Sequence, residues 1–128
     1  MKYVILIYQN PEARAIWEGL SDARRAEGYA AYADLNQDLT ASGELIVTEA
    51  LADPAQARQV TVRAGRPITS DGPFAEAKEH LAGFYLVDCA SVERAVEIAA
   101  RIPGVEELTV EVRPVVDLRA APAPRSPE

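Results

Sequence analysis

The run Tyr3-Val4-Ile5-Leu6-Ile7-Tyr8 is apolar or aromatic at every position, which predicts a strand buried on both faces and therefore central in a sheet. After Pro11 a helical stretch runs to a break near Gly19. Ser21 then stands where a side-chain oxygen caps a second, longer helix reaching about Ser42. Within it Tyr32, Leu35 and Leu39 form one apolar stripe, and Gly43 ends the helix at a position suited to left-handed backbone. Leu45 to Leu51 reads as a second strand. Gln59 to Ala64 reads as a third, with Val60 and Val62 alternating against Thr61 and Arg63. Asp53-Pro54 marks the turn between them. Gly65-Arg66-Pro67 predicts another turn, Ile68 and Thr69 a brief pairing, and Asp71-Gly72-Pro73 the end of that run, because proline cannot donate to a ladder. A loop or short helical turn follows to about Glu79. Gly83 to Cys89 is the next strand, Ser91 caps a helix, and Val92, Ala95, Val96, Ala99 and Ile102 share one predicted buried face. Pro103-Gly104 stops that helix, and Leu108 to Arg113 alternates as the last strand.

The order strand, helix, strand, strand, strand, helix, strand predicts an α+β ferredoxin-like sandwich with a mid-chain hairpin insert, helices covering one face of an antiparallel sheet. The other sheet face stays open in such a fold, yet the first strand is apolar on both sides. One chain this short has no third layer to cover it, so a second copy is expected there and the protein is expected to be a homodimer. Residues 1–116 form the expected domain. From 117 to 128 the chain carries Pro122, Pro124 and Pro127 among Ala, Arg and Ser with no apolar period, and is read as a disordered tail.

Composition narrows the function classes. The chain has 128 residues, 48% of them apolar and 26% charged, which is room for one domain with a core of its own. Thirteen Lys and Arg against twenty Asp and Glu leave a net charge of −7, which would repel a phosphate backbone and argues against nucleic acid as a partner. The first apolar run is too short for a signal-peptide core or a membrane span, so no membrane partner and a cytoplasmic location are expected. Cys89 is the one cysteine. It excludes an intramolecular disulfide, fits a reducing compartment, and reads as a buried small hydrophobe within a strand. One histidine, no calcium-loop spacing, no glycine-rich phosphate loop and no nucleophile elbow leave no metal or cofactor signature.

The stretch from Asp71 to His80 is the most unusual in the chain, with five of ten side chains ionisable and a bulky anchor at Phe74. Asp71, Glu76 and Glu79 beside Lys78 are acid–base candidates, since carboxylates near one another or near a cation have pKa values pushed apart. The same residues also read as a turn whose charges are solvated. His80, the lone imidazole, is the natural group for proton transfer near neutral pH and equally a hydrogen-bonded structural residue. Tyr8 and Glu49 lie towards strand ends, where a sheet-edge pocket would collect polar groups, and Lys78 or Arg113 would hold an anionic substrate. Trp17, Tyr29 and Tyr32 could line a pocket, although aromatics at helical spacing usually belong to a core.

Motifs spread along the chain resemble the YCII-related family in its DGPF-type branch. They are Met1-Lys2-Tyr3 leading into Leu6-Ile7-Tyr8, then Tyr32, Leu35, Leu39 and Gly43, then Glu49-Ala50-Leu51. Most specific are Asp71-Gly72-Pro73-Phe74-Ala75-Glu76 with Lys78-Glu79, followed by Gly83-Phe84-Tyr85-Leu86-Val87-Asp88; Ala100-Arg101-Ile102-Pro103 and Val110-Glu111-Val112-Arg113-Pro114 complete the pattern. The resemblance covers residues 1 to about 116. It implies a ferredoxin-like fold that pairs as a dimeric α/β barrel, with polar residues meeting in a pocket between sheet and helices; relatives in the wider superfamily include small isomerases, lyases and cofactor-free oxygenases. In some members a His–Asp pair is proposed as the active site. Asp71 matches the Asp of the DGP turn, but no histidine precedes it, so the pair does not carry over. The expected function is a small cofactor-independent acid–base enzyme, a lyase or isomerase, with Asp71, Glu76 or His80 moving the proton and Tyr8, Glu49, Lys78, Glu79 and Arg113 contacting substrate. The alternative is a non-catalytic ligand-binding or accessory dimer. A carboxylate cluster around a pocket would favour the first, and charges turned to solvent the second.

Overall fold

Helix starts are set by side chains placed as the capping pattern predicts. Asn10 Oδ1 accepts from the Ala13 backbone N–H at 2.7 Å, with Pro11 in the first turn, and opens α1 (Pro11–Glu18). Ser21 and Ser91 accept from Arg24 and Arg94 N–H and open α2 (Asp22–Ala41) and α3 (Val92–Ala100). At the end of α2, Gly43 takes φ +80°, so that Glu44 N–H reaches Leu39 O at 3.0 Å and Gly43 N–H reaches Thr40 O at 3.1 Å, a Schellman closure that needs the left-handed conformation glycine adopts without strain.

The computed structural model describes residues 1–72 and 77–119. Among these the strands are β1 (Lys2–Gln9), β2 (Leu45–Ala50), β3 (Arg58–Arg63), β4 (Arg66–Asp71), β5 (His80–Asp88) and β6 (Thr109–Pro114). Four of them form one antiparallel sheet in the order β2-β5-β1-β6, and β3 and β4 form a separate two-stranded ribbon. This is the ferredoxin-like α+β arrangement with its inserted hairpin, and β1 is central. Phe74 and Glu76, the predicted loop anchor and acid, lie outside the described residues, as does the chain beyond Arg119.

Alternation along the central strands divides the sheet. Tyr3, Ile5 and Ile7 of β1 and Tyr85 and Val87 of β5 are buried beneath the helices with Leu35, Leu39, Ala95, Ile98, Ala99 and Ile102. Val4, Leu6, Phe84 and Leu86 alternate to the opposite face and are only half-buried, so the described residues cover one face of β1. Cys89 is buried, as expected of a small hydrophobe, and burial pushes its thiol pKa up.

Three details depart from the predicted pattern. β5 starts at His80 and not at Gly83, and it ends at Asp88, so Cys89 lies just beyond the strand. The buried stripe of α3 is Ala95, Ile98 and Ala99, continued by Ile102, while Val92 and Val96 are 42% and 53% exposed; the docking angle turns the helix so that its bulkiest β-branched side chain, Ile98, enters the core. The ribbon turn is Ala64-Gly65, with φ +50° and +76°, one residue earlier than expected. β4 therefore runs the full length of β3, and alternation from the closing pair Arg63 and Arg66 leaves Pro67 where no donor is required.

Candidate functional site

Tyr32, Leu35, Asn36 and Leu39 lie along one face of α2. The two leucines are fully buried, whereas Tyr32 and Asn36 are half-buried and border a cavity of about 820 Å³ between the helices and the sheet. Its floor is polar. The Tyr85 hydroxyl, projecting from β5, donates to Asn36 Oδ1. Thr48 of β2, opposite Tyr85 in the ladder, donates from Oγ1 to Phe84 O at 2.9 Å, and the Tyr32 hydroxyl leans on Pro103 O at 3.4 Å. Burial pushes the pKa of both phenols up, helped for Tyr32 by neighbouring Tyr85 and opposed for Tyr85 by Thr48. The floor is thus a set of uncharged hydrogen-bonding groups at any ordinary pH.

The outer wall is α1, a helix with no buried residue. Ala13, Ile16 and Trp17 line the cavity, and Ile16 remains 55% exposed. Trp17 meets Tyr29 of α2 edge to face, with ring centroids 5.3 Å apart and planes at 85°. Its outer edge also seats on Gly28, where a Cβ would stand 2.7 and 2.9 Å from two of its ring carbons. Only glycine lets the indole come down on the helix backbone. The three aromatics therefore line a cavity and are not packed in the centre, because α1 stands off the sheet instead of closing onto it.

A smaller cavity of about 260 Å³ shares Gln9, Arg14 and Ala82 with the larger one and is lined further by Asn10, Asp53 and His80. The Arg14 Nε lies 3.1 Å from Glu18 and 3.3 Å from Asp53, tying α1 to the turn that precedes β3. His80 opens β5 opposite Gln9, and its Nε2 is buried without a hydrogen-bond partner among the described residues.

The residues singled out from the sequence are distributed differently. Asp71 ends the ribbon with its carboxylate 91% exposed, 3.7 Å from the Arg58 guanidinium. Lys78 is exposed, and so is Glu79, which accepts from the Thr109 hydroxyl at 2.7 Å. None of the three lines either cavity. Tyr8 and Arg113 stand on the open sheet face, Tyr8 opposite Thr109 and Arg113 opposite Val4, with Arg113 Nη2 at 2.6 Å from Glu111 Oε2. Glu49 borders the large cavity from the β2 edge, while its register opposite Phe84 puts its side chain on the open face. Asn36, Thr48 and Tyr85 are not among the candidates the sequence offers. The sequence signal for them is a polar atom at a position whose neighbours in the same period are apolar: Asn36 one turn beyond Tyr32, and Tyr85 between Gly83 and Val87.

Among the described residues no group of His, Cys, Asp and Glu is placed to hold a metal ion, and no helix is long and apolar enough to cross a membrane. The fold and cavity define a ferredoxin-like domain with a ligand-sized space between sheet and helices. The model of the YCII-related domain matches residues 1–119, and the chain belongs to that family. It is 33% identical over 117 residues to an uncharacterized protein of Rhizobium meliloti (strain 1021), an alignment covering 90% of this chain and 92% of that relative.

Proposed function

We propose that this YCII-related protein binds a small molecule in the cavity between α1, α2 and the sheet, and that it does so as a homodimer joined through the open sheet face. The observation that carries the reading is the uncharged cluster of Tyr32, Asn36, Thr48 and Tyr85 at the floor of a cavity of about 820 Å³. Ligand sites combine mostly apolar walls with a few convergent polar groups in this way, within volumes of roughly 300 to 1,000 Å³. The exposure of Asp71 and Glu79 supports a binding role over proton transfer by those carboxylates. Membership of the DGPF-type branch rests on the motif from Asp71 to Glu76. Thermal-shift screening of small neutral and acidic metabolites tests the reading. Compounds that raise the melting temperature of the wild type should lose most of that effect in Tyr85→Phe, which keeps the ring and removes the hydroxyl. Stabilisation undiminished in Tyr85→Phe places the ligand elsewhere and defeats the proposal.

One observation favours a second reading, a cofactor-independent lyase or isomerase. His80 has a buried Nε2 with no hydrogen-bond partner among the described residues and lines the smaller cavity that adjoins the first, which places an imidazole nitrogen within reach of a bound substrate. On this reading a screening hit is converted as well as bound. His80→Gln, Asp71→Asn and Glu76→Gln then identify the base, because only its removal lowers turnover by roughly 10²-fold with the melting temperature unchanged.

A further inference from the structure

We infer that the large cavity selects a neutral, planar, mostly apolar molecule bearing one carbonyl-type oxygen, held by the Asn36 amide with its flat body against Trp17. This rests on the binding role proposed above and adds the class of ligand. The amide is oriented by its neighbour: Tyr85 donates to Asn36 Oδ1, so the free edge of Asn36 is its NH₂, a donor that lacks a hydrogen-bond partner among the described residues. A donor at the floor of an apolar space calls for an acceptor on the ligand.

Charge decides against a carboxylate. Among the described residues the floor contains no cation, and the charged residues bordering the cavity are Arg14 and Arg24 against Glu27, Glu49 and Glu107. The Arg14 guanidinium is already held between Glu18 and Asp53. Arg24 stands twelve positions from Asn36 on α2, about 18 Å along the helix axis, so an anion reaching Asn36 would give up its hydration for no opposite charge beside it. The shape of the wall follows from Gly28. With no side chain there, the outer edge of the Trp17 indole seats on the α2 backbone and its contact with Tyr29 at 85° fixes the ring plane, so an ordered aromatic ring borders the cavity for a flat ligand to pack against.

Three probes of similar size separate the requirements: acetophenone, which has ring and carbonyl; ethylbenzene, which lacks the acceptor; and benzoate, which adds the charge. The chain contains one tryptophan, so a ¹⁵N-labelled sample of the full chain has one indole N–H signal, which reports on the cavity wall. Acetophenone is expected to move that signal and the Asn36 side-chain amide, with an affinity about tenfold above either other probe, the scale of one satisfied hydrogen bond in an apolar site. Asn36→Asp keeps an oxygen for Tyr85 and removes the donor; it should lose that tenfold for acetophenone and nothing for ethylbenzene. If ethylbenzene or benzoate binds as tightly as acetophenone, or Asn36→Asp leaves acetophenone unchanged, the ligand class is wrong and the cavity's binding role stands. If no probe moves the Trp17 signal, the binding role falls with it.

Discussion

At Glu44, the last residue of the Schellman closure, one carboxylate joins two elements. Its Oε1 and Oε2 accept from Arg94 Nη2 at 2.8 Å and Nε at 2.9 Å, and Ser42 Oγ donates to Oε1 at 2.8 Å. The hydrogen bonds from Arg94 hold the Glu44 carboxyl below the usual carboxylate range. The folded chain thus keeps this group ionised at a pH where the unfolded chain has protonated it. The stabilisation is complete above the unfolded value of about 4.3 and is lost as pH falls through the lower folded value. Glu44→Gln is expected to cost about 1 kcal/mol at pH 7, the scale of a partly exposed charge-assisted pair, and to differ less from wild type at pH 3; urea unfolding at the two pH values measures both. Gly28 offers a second test. Gly28→Ala gains helix propensity of about 1 kcal/mol, but its Cβ cannot coexist with the indole, so the net change in stability is expected to be small while Trp17 swings outward. A red shift of tryptophan emission at near-constant melting temperature is the expected result, and unchanged emission would show that Gly28 is not the seat of Trp17.

Among the elements, the β3–β4 ribbon is the least supported. Every residue of it except Gln59 is exposed, and a two-stranded hairpin with little packing is marginal in water. Its turn places Ala64 in left-handed backbone with φ +50°, which costs an alanine roughly 1 kcal/mol, whereas the primed turns that suit a two-residue hairpin favour Asn-Gly. Ala64→Asn is expected to slow amide hydrogen exchange in the ribbon about fivefold and leave β1 and β5 unchanged, since opening of the ribbon need not open the sheet. Equal slowing in β1 would show that ribbon and sheet open together.

For the whole molecule the decisive surface is the open sheet face. Register aligns Val47, Leu86 and Val4 in one row and Phe84 and Leu6 in the next, with Glu49 at one edge and Glu111 and Arg113 at the other. An apolar stripe with a charged rim has the composition of an interface. Light scattering at micromolar concentration is expected to give twice the chain mass of 13.8 kDa, and Leu86→Lys, which puts a charge in the centre of the stripe, is expected to give the mass of one chain. Because each chain carries a net charge of −7, added salt should strengthen the dimer by screening repulsion. A wild-type monomer would refute the pairing.

Local patterns in the sequence were sufficient where a property depends on near neighbours. Ser21, Ser91 and Gly43 mark helix ends because a cap bonds to residues close by in the chain, and the unbroken β-branched and aromatic run from Tyr3 to Tyr8 marks a strand in the interior of the sheet, where such side chains pack against a neighbouring strand on each side. The family motifs are legible for the same reason, being short and fixed in order. Periodicity left the rotation of α3 undetermined, since Val92 and Val96 fit one apolar face as well as Ile98 fits another, and only docking on β1 and β6 selects between them. The cavity was further from reach. Tyr32 and Asn36 come from α2, Thr48 from β2 and Tyr85 from β5, and the Asn36–Tyr85 hydrogen bond joins residues 49 positions apart. Such a meeting is set by strand register and by how far α1 stands off the sheet, and those are decided by packing between elements distant in the chain. The charges from Asp71 to Glu79 are legible in the sequence because an ionisable side chain is recognised one residue at a time; the uncharged floor exists only where tertiary structure brings its members together.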